Sequence, residues 1–117
     1  MQRIMRKSKI HRARITKTDL NYEGSIGIDK RMLDAADMYQ NEFVQVLNLN
    51  NGERFETYVI EEKEGSGEIA LYGPAARLGQ TGDTVIIISK VILEEREVKS
   101  FSPKVVYVDQ NNKIVKK

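Results

Sequence analysis

The chain has 117 residues, 40% of them hydrophobic, with no cysteine and a single histidine. That length sets one domain with a modest core, and the missing thiols exclude a disulfide scaffold, a zinc finger, an iron–sulfur site and a cysteine nucleophile. Nineteen Lys and Arg against seventeen Asp and Glu leave a net charge of +2, too balanced for a protein whose main theme is coating nucleic acid. No apolar run approaches the roughly 20 residues of a membrane span and no signal peptide opens the chain, so a soluble, cytoplasmic protein is expected.

Charge is unevenly placed. Residues 1–24 carry seven basic and two acidic side chains, +5, which leaves −3 for residues 25–117. Such an arm can bind an anion or pair with the acids of its own body or of a neighbouring subunit. Residues 3–16 are compatible with a strand; if extended, Lys9, His11, Ala13 and Ile15 share one face. A loop follows at Asn21-Tyr22-Glu23-Gly24-Ser25. Asp29 reads as the N-cap of a short helix over about 29–37, with Met32, Leu33 and Ala36 as its apolar stripe.

Phe43–Leu49 reads as a strand, Asn50-Asn51-Gly52 as a hairpin turn, and Arg54–Ile60 as the returning strand. In that strand Phe55, Thr57 and Val59 take one face, while Arg54, Glu56, Tyr58 and Ile60 take the other. Gly65-Ser66-Gly67 turns into a strand at 68–72, and Gly73-Pro74 starts a helical turn through Arg77. Thr84–Leu93 is the most apolar strand, with Val85-Ile86-Ile87-Ile88 expected to be buried on both faces. A last strand spans Lys104–Asp109, Asn111-Asn112 is a turn, and a basic tail ending at Lys117 is expected to be disordered. Many short strands with little helix favour a small closed barrel, which removes exposed sheet edges.

No G-x-S-x-G elbow, P-loop or G-x-G-x-x-G is present. A Gly-Ser dipeptide, however, permits a particular reaction. Gly24 has no Cβ to shield its carbonyl carbon, and the Ser25 hydroxyl reaches that carbon through a five-membered ring, the geometry of an N→O acyl shift.

Five segments set this dipeptide in context: Lys9-Ile10-His11-Arg12-Ala13, Asp19 through Asp29 with Tyr22-Glu23-Gly24-Ser25 at its centre, Leu33-Asp34-Ala35-Ala36, Asn51 through Tyr58, and Gly73-Pro74-Ala75-Ala76-Arg77. In this order they resemble the pyruvoyl-dependent aspartate decarboxylase family over almost the whole chain. The resemblance implies a mainly β fold, a small six-stranded double-psi β-barrel with short helices, assembled as a homotetramer with sites between subunits. It implies one domain, 1–117, that cuts itself between Gly24 and Ser25 into a β chain (1–24) and an α chain (25–117). Ser25 becomes a pyruvoyl group, and L-aspartate is converted through a Schiff base on that group to β-alanine and CO2 for pantothenate and coenzyme A. The covalent pyruvoyl is the implied cofactor, with no metal and no pyridoxal phosphate; nucleic acid and membrane are not implied partners.

The resemblance also assigns roles. Tyr58 matches the proton donor. Lys9, Arg54, Thr57, Gly73, Pro74 and Ala75 match substrate-binding positions, with His11, Tyr22 and Tyr72 as supporting residues. A planar guanidinium and a second cation suit a substrate with two carboxylates. Thr57 points to the face opposite Arg54 and Tyr58, so a bulge, strong twist or subunit boundary is expected there. Pro74 has no N–H, so backbone donation in its loop must come from Gly73 or Ala75. Tyr72 stands where the family usually has an Asn tied to self-processing, which bears on the rate of cleavage and on the need for a helper protein. Two other readings stay open on sequence: a small β-barrel binding RNA or another anion through its basic arm, and a family member that has lost its processing.

Overall fold

Alternation of apolar and polar residues builds nine strands among the described residues. The computed structural model describes residues 1–116. In chain order these form β1 (Gln2–Arg14), β2 (Lys17–Asp19), β3 (Ser25–Asp29), α1 (Lys30–Ala36), β4 (Phe43–Asn48), β5 (Arg54–Glu62) and β6 (Ile69–Tyr72). A 3₁₀ turn (Gly73–Arg77), β7 (Thr84–Glu94), α2 (Glu95–Val98), β8 (Lys104–Val108) and β9 (Ile114–Val115) complete them. The basic tail ends at Lys117, which lies outside the described residues.

Hydrogen-bonded neighbours run β2-β6-β3-β5-β4-β7-β1-β8-β9. Five strands have one parallel and one antiparallel neighbour: β1 (β8 and β7), β3 (β5 and β6), β5 (β3 and β4), β6 (β2 and β3) and β8 (β1 and β9). The count is nine, not six. The additions include β2 and β9, which have three and two residues and are too short to give a periodic signal. Nor, among the described residues, does the ladder close by strand pairing. A side chain joins its parts instead: buried Asn112 accepts from the Arg14 N–H (2.8 Å) and donates to the carbonyls of Arg14 (2.9 Å) and Gly67 (2.8 Å). It thus supplies the amide pairing that backbone would give in a continuous ladder.

The core is aliphatic. Ile10, Ile15, Ile26, Ile28, Met32, Leu33, Val44, Val46, Val59, Ile69, Leu71 and Ile87 are fully buried. Helix α1 begins as its sequence indicates. Asp29 accepts from the Arg31 N–H (2.8 Å) and also from the N–H groups of Gly65 (3.0 Å) and Gly67 (2.8 Å), so one carboxylate fixes the helix start and the loop before β6.

Two local expectations fail for identifiable reasons, and a third is narrowed. Lys9 and His11 do not share a face with Ala13 and Ile15, because β1 shifts register between Ile10 and Ala13, where Arg12 takes φ +66°. Ser8 and Ile10 are therefore buried before the shift, Ala13 and Ile15 after it. In Val85–Ile88 only Val85 and Ile87 are buried; Ile86 and Ile88 are half-buried on the outer face, because β7 is covered on one side. β5 pairs β4 without a register shift, so no bulge sits at Thr57.

Residues 2–6 of β1 pair only with 90–94 of β7, as a two-stranded ribbon beyond the main sheet. Ile4 and Ile92 on it are 71% and 61% exposed, and Phe43 nearby on β4 is 66% exposed. The basic arm is partly neutralised by the body: Arg3 pairs with Glu95 (2.8 Å) and Lys7 with Glu42 (3.1 Å). No helix among the described residues is long and apolar enough to cross a membrane.

Candidate active site

Strand β3 is buried along its whole length, and Ser25 is its first residue. Ser25 lies opposite Tyr72 of β6 and Ile26 opposite Leu71. Ile26 and Leu71 face the core, so alternation puts the side chains of Ser25 and Tyr72 together on the other face. The Ser25 side chain is fully buried, and its Oγ has no hydrogen-bond partner among the described residues. A buried hydroxyl without a partner costs about 1–3 kcal/mol, so its persistence calls for a chemical reason. It sits three bonds from the nitrogen of the Gly24–Ser25 peptide.

The turn after β6 closes on that bond. Gly73 has φ +62°, and a Cβ there would stand 2.7 Å from the Tyr22 carbonyl oxygen and 2.8 Å from the Gly24 nitrogen and Cα. Only glycine permits this approach. A Cβ on Gly24 would in turn meet Pro74 Cδ at 3.2 Å. The two glycines let the 22–25 segment and the 73–77 turn interlock.

A cavity of about 410 Å³ opens beside them, lined by Gly24, Phe43, Phe55, Glu56, Thr57, Tyr58, Pro74, Ala75 and Leu78. Its position follows from strand pairing. β5 bonds β4 as far as Tyr58 and β3 from Val59 onward, so on the β3 side its edge is unpaired before Val59. The cavity looks onto that open edge, which is how Thr57 and Tyr58, on opposite faces, both line it. Of the bulge, strong twist or subunit boundary expected at Thr57, the bulge is absent and β5 changes partners there instead. Continued one step back, the β3–β5 register sets Tyr58 beside Ser25.

Tyr72 is held from several sides. Its hydroxyl donates to Glu62 Oε2 at 2.6 Å, its ring packs on Tyr22 with centroids 4.5 Å apart, and Lys17 Nζ lies 5.5 Å from the ring centroid. Burial, followed by the bond to Glu62 and the charge of that carboxylate, keeps the phenol well above its ordinary pKa and so protonated.

Five expected site residues, Gly24, Thr57, Tyr58, Pro74 and Ala75, thus share one cavity; Gly73 meets Tyr22 and Gly24, and Tyr72 lies opposite Ser25 and packs on Tyr22. Three do not join them. Arg54 is exposed at the start of β5, paired with Leu47. Lys9 lies on β1, four steps along the sheet from β3. His11, edge-on to Tyr107 at 5.7 Å, lines a separate cavity with Arg12 and Arg14. The charged residue on the Gly24 cavity is Glu56, which the motif reading passed over. Its place facing the cavity depends on where β5 changes partners, which no local pattern announces. Among the described residues no group of three or more His, Asp and Glu is placed to hold a metal ion.

Fold and site together define a small β-barrel built around one of its own peptide bonds. The fold resembles the crystal structure of a rationally designed double-psi β-barrel protein, mkDPBB_sym_86, with TM-score 0.50 and 14% identity over 69% of this chain and 94% of that one. The sequence model for aspartate decarboxylase matches residues 1–115, and the chain belongs to that family. An aspartate 1-decarboxylase of Kosmotoga olearia is 59% identical over the full length of both chains. One of Thermoanaerobacter pseudethanolicus is 58% identical over 98% of both, and one of Neisseria meningitidis 59% identical over 97% of this chain and 90% of its own.

Proposed function

We propose that this chain is a self-processing aspartate 1-decarboxylase that converts L-aspartate to β-alanine and CO2 in the cytoplasm, using a pyruvoyl group made from Ser25. One observation supports the self-processing most directly: a fully buried, unpartnered Ser25 hydroxyl next to a glycine carbonyl. The hydroxyl adds to the Gly24 carbonyl carbon, the C–N bond breaks, and an ester links the two segments. The Thr57 hydroxyl, on the same cavity as Gly24, donates to the oxygen that becomes negative. Loss of the Ser25 Cα proton expels the Gly24 carboxylate. One water then converts the remaining enamine to a ketone and ammonia, leaving chains 1–24 and 25–117.

The residues present fit the group: position 25 is dry, faces Tyr72 and adjoins Tyr58. When formed, the pyruvoyl supplies the electron sink that decarboxylation needs and that ordinary side chains lack. Tyr58 donates the proton that replaces CO2 on the substrate α-carbon. Arg54, which lies off the Gly24 cavity of its own subunit, reaches the site of a neighbouring subunit and holds the retained β-carboxylate with its two-pronged guanidinium. An ion pair on the departing carboxylate would stabilise the ground state and resist its loss. Gly73 and Ala75 supply backbone N–H groups beside Pro74.

The chain works as a homotetramer with its site shared between subunits. Two features favour this. The cavity has an acid and no cation on its lining, whereas aspartate brings two carboxylates, so Lys9 enters from a neighbouring subunit. The two-stranded ribbon also exposes Ile4 and Ile92 near Phe43, and such a ribbon is marginal in water unless something covers it. The RNA-binding alternative draws on the basic arm, two of whose cations already pair with the body.

Intact mass under denaturing conditions tests the proposal. Two chains breaking at Gly24–Ser25, the larger ending in a ketone, together with β-alanine formation from aspartate, are expected. An uncut chain after prolonged warming points to a helper protein or to lost processing.

A further inference from the structure

We propose that Glu62 is a positioning residue for cleavage at Gly24–Ser25, acting through Tyr72; this rests on the self-processing reading above. Glu62 ends β5, and its side chain folds back across β3. A Cβ built on Gly27 would lie 2.0 Å from Glu62 Oε2 and 2.9 Å from Cγ. The carboxylate therefore occupies the space that any other residue at 27 would fill. From there Oε2 accepts from Tyr72 Oη at 2.6 Å. Tyr72 springs from β6, on the far side of β3, so its ring reaches over β3 on the face that carries Ser25.

The same ring bears on Tyr22, three residues before Ser25. One acid thus reaches, through one phenol, a side chain opposite the nucleophile and an aromatic within the segment to be cut. Tyr22 is half exposed on a loop, and its ring packs against that of Tyr72. The phenol, kept protonated, donates to the Glu62 carboxylate. Attack on the Gly24 carbonyl depends on placement, and about 1 Å of misplacement costs on the order of 100-fold. Gly27, Glu62 and Tyr72 act as a unit: the first provides room, the second the anchor, the third the ring.

The test follows the uncut fraction by intact mass against time, for freshly made wild type, Glu62→Ala, Glu62→Gln, Tyr72→Phe, Gly27→Ala and the Glu62→Ala/Tyr72→Phe double variant. Glu62→Ala should cleave about 10- to 100-fold more slowly. Glu62→Gln, which keeps an acceptor of the same length, should recover much of the rate. Gly27→Ala, which displaces the carboxylate while leaving it chemically intact, should slow cleavage as well. The double variant should be no slower than the worse single one, because both remove one interaction. Equal rates for wild type and Glu62→Ala overturn the inference and leave the self-processing reading intact, as does a double variant whose defects multiply. Wild type that never breaks at Gly24–Ser25 overturns both. Should Glu62→Ala fail to fold, Glu62→Gln against Gly27→Ala decides: the inference requires the first to be faster.

Discussion

Gly73 and Gly24 meet backbone to backbone: a Cβ on the first would stand 2.8 Å from the nitrogen and Cα of the second. Gly73 also holds φ +62°, so a side chain there meets both a clash and a strained conformation. Gly73→Ala is expected to lower stability by about 2–3 kcal/mol and to slow cleavage, since relief of the clash must push the 22–24 segment away. Urea unfolding and intact mass measure the two effects.

Ser25 offers the opposite prediction. Replacing it with Ala removes the nucleophile and also a buried hydroxyl without a partner. Ser25→Ala should never cleave, and it should be more stable than freshly made uncut wild type by about 1–3 kcal/mol. Thermal unfolding of the two uncut chains compares them. A less stable Ala variant would mean that the hydroxyl is satisfied and not held in waiting.

Asp29 gives a pH dependence. Burial alone would raise its pKa, but hydrogen bonds from the N–H groups of Arg31, Gly67 and Gly65, with the Arg31 charge, together bring it below the ordinary value of 3.8. A carboxyl depressed in the folded state contributes stability that is fully present above the unfolded pKa and is lost as pH falls through the folded one. Asp29→Asn, whose NH2 cannot accept from the Gly67 N–H, should therefore cost about 1 kcal/mol at neutral pH. Its difference from wild type should stay flat down to about pH 4 and shrink below that, read from urea midpoints across pH.

Lys9 and Tyr58 test the shared site. Tyr58→Phe should still cleave and lose about 100-fold or more in decarboxylation, while Lys9→Ala should raise KM for aspartate by removing a cation from its recognition. If the two residues meet across a subunit boundary, mixing the two dissociated variants and reassembling them restores part of the activity, because some sites then hold both native residues. No recovery in verified mixed assemblies would place both in one subunit.

Much of this protein is legible without coordinates, because the signals are local. Asp29 before Met32, Leu33 and Ala36 specifies a capped helix by hydrogen bonding and a 3.6-residue period. Asn50-Asn51-Gly52 specifies the β4–β5 hairpin by turn chemistry. Gly24-Ser25 permits an acyl shift by covalent geometry alone, and the ordered motifs carried the family. Tertiary structure decided what depends on residues far apart in sequence. Arg12 inverts the faces of β1 because a register shift answers to β7 as well as to its own strand. The cavity exists because β5 exchanges β4 for β3 at Tyr58, a fact of pairing and not of composition. Glu62, an unremarked acid at a strand end, reaches Tyr72 only because Gly27 on a third strand leaves it room. Such an alignment of three strands has no trace in any one of their sequences.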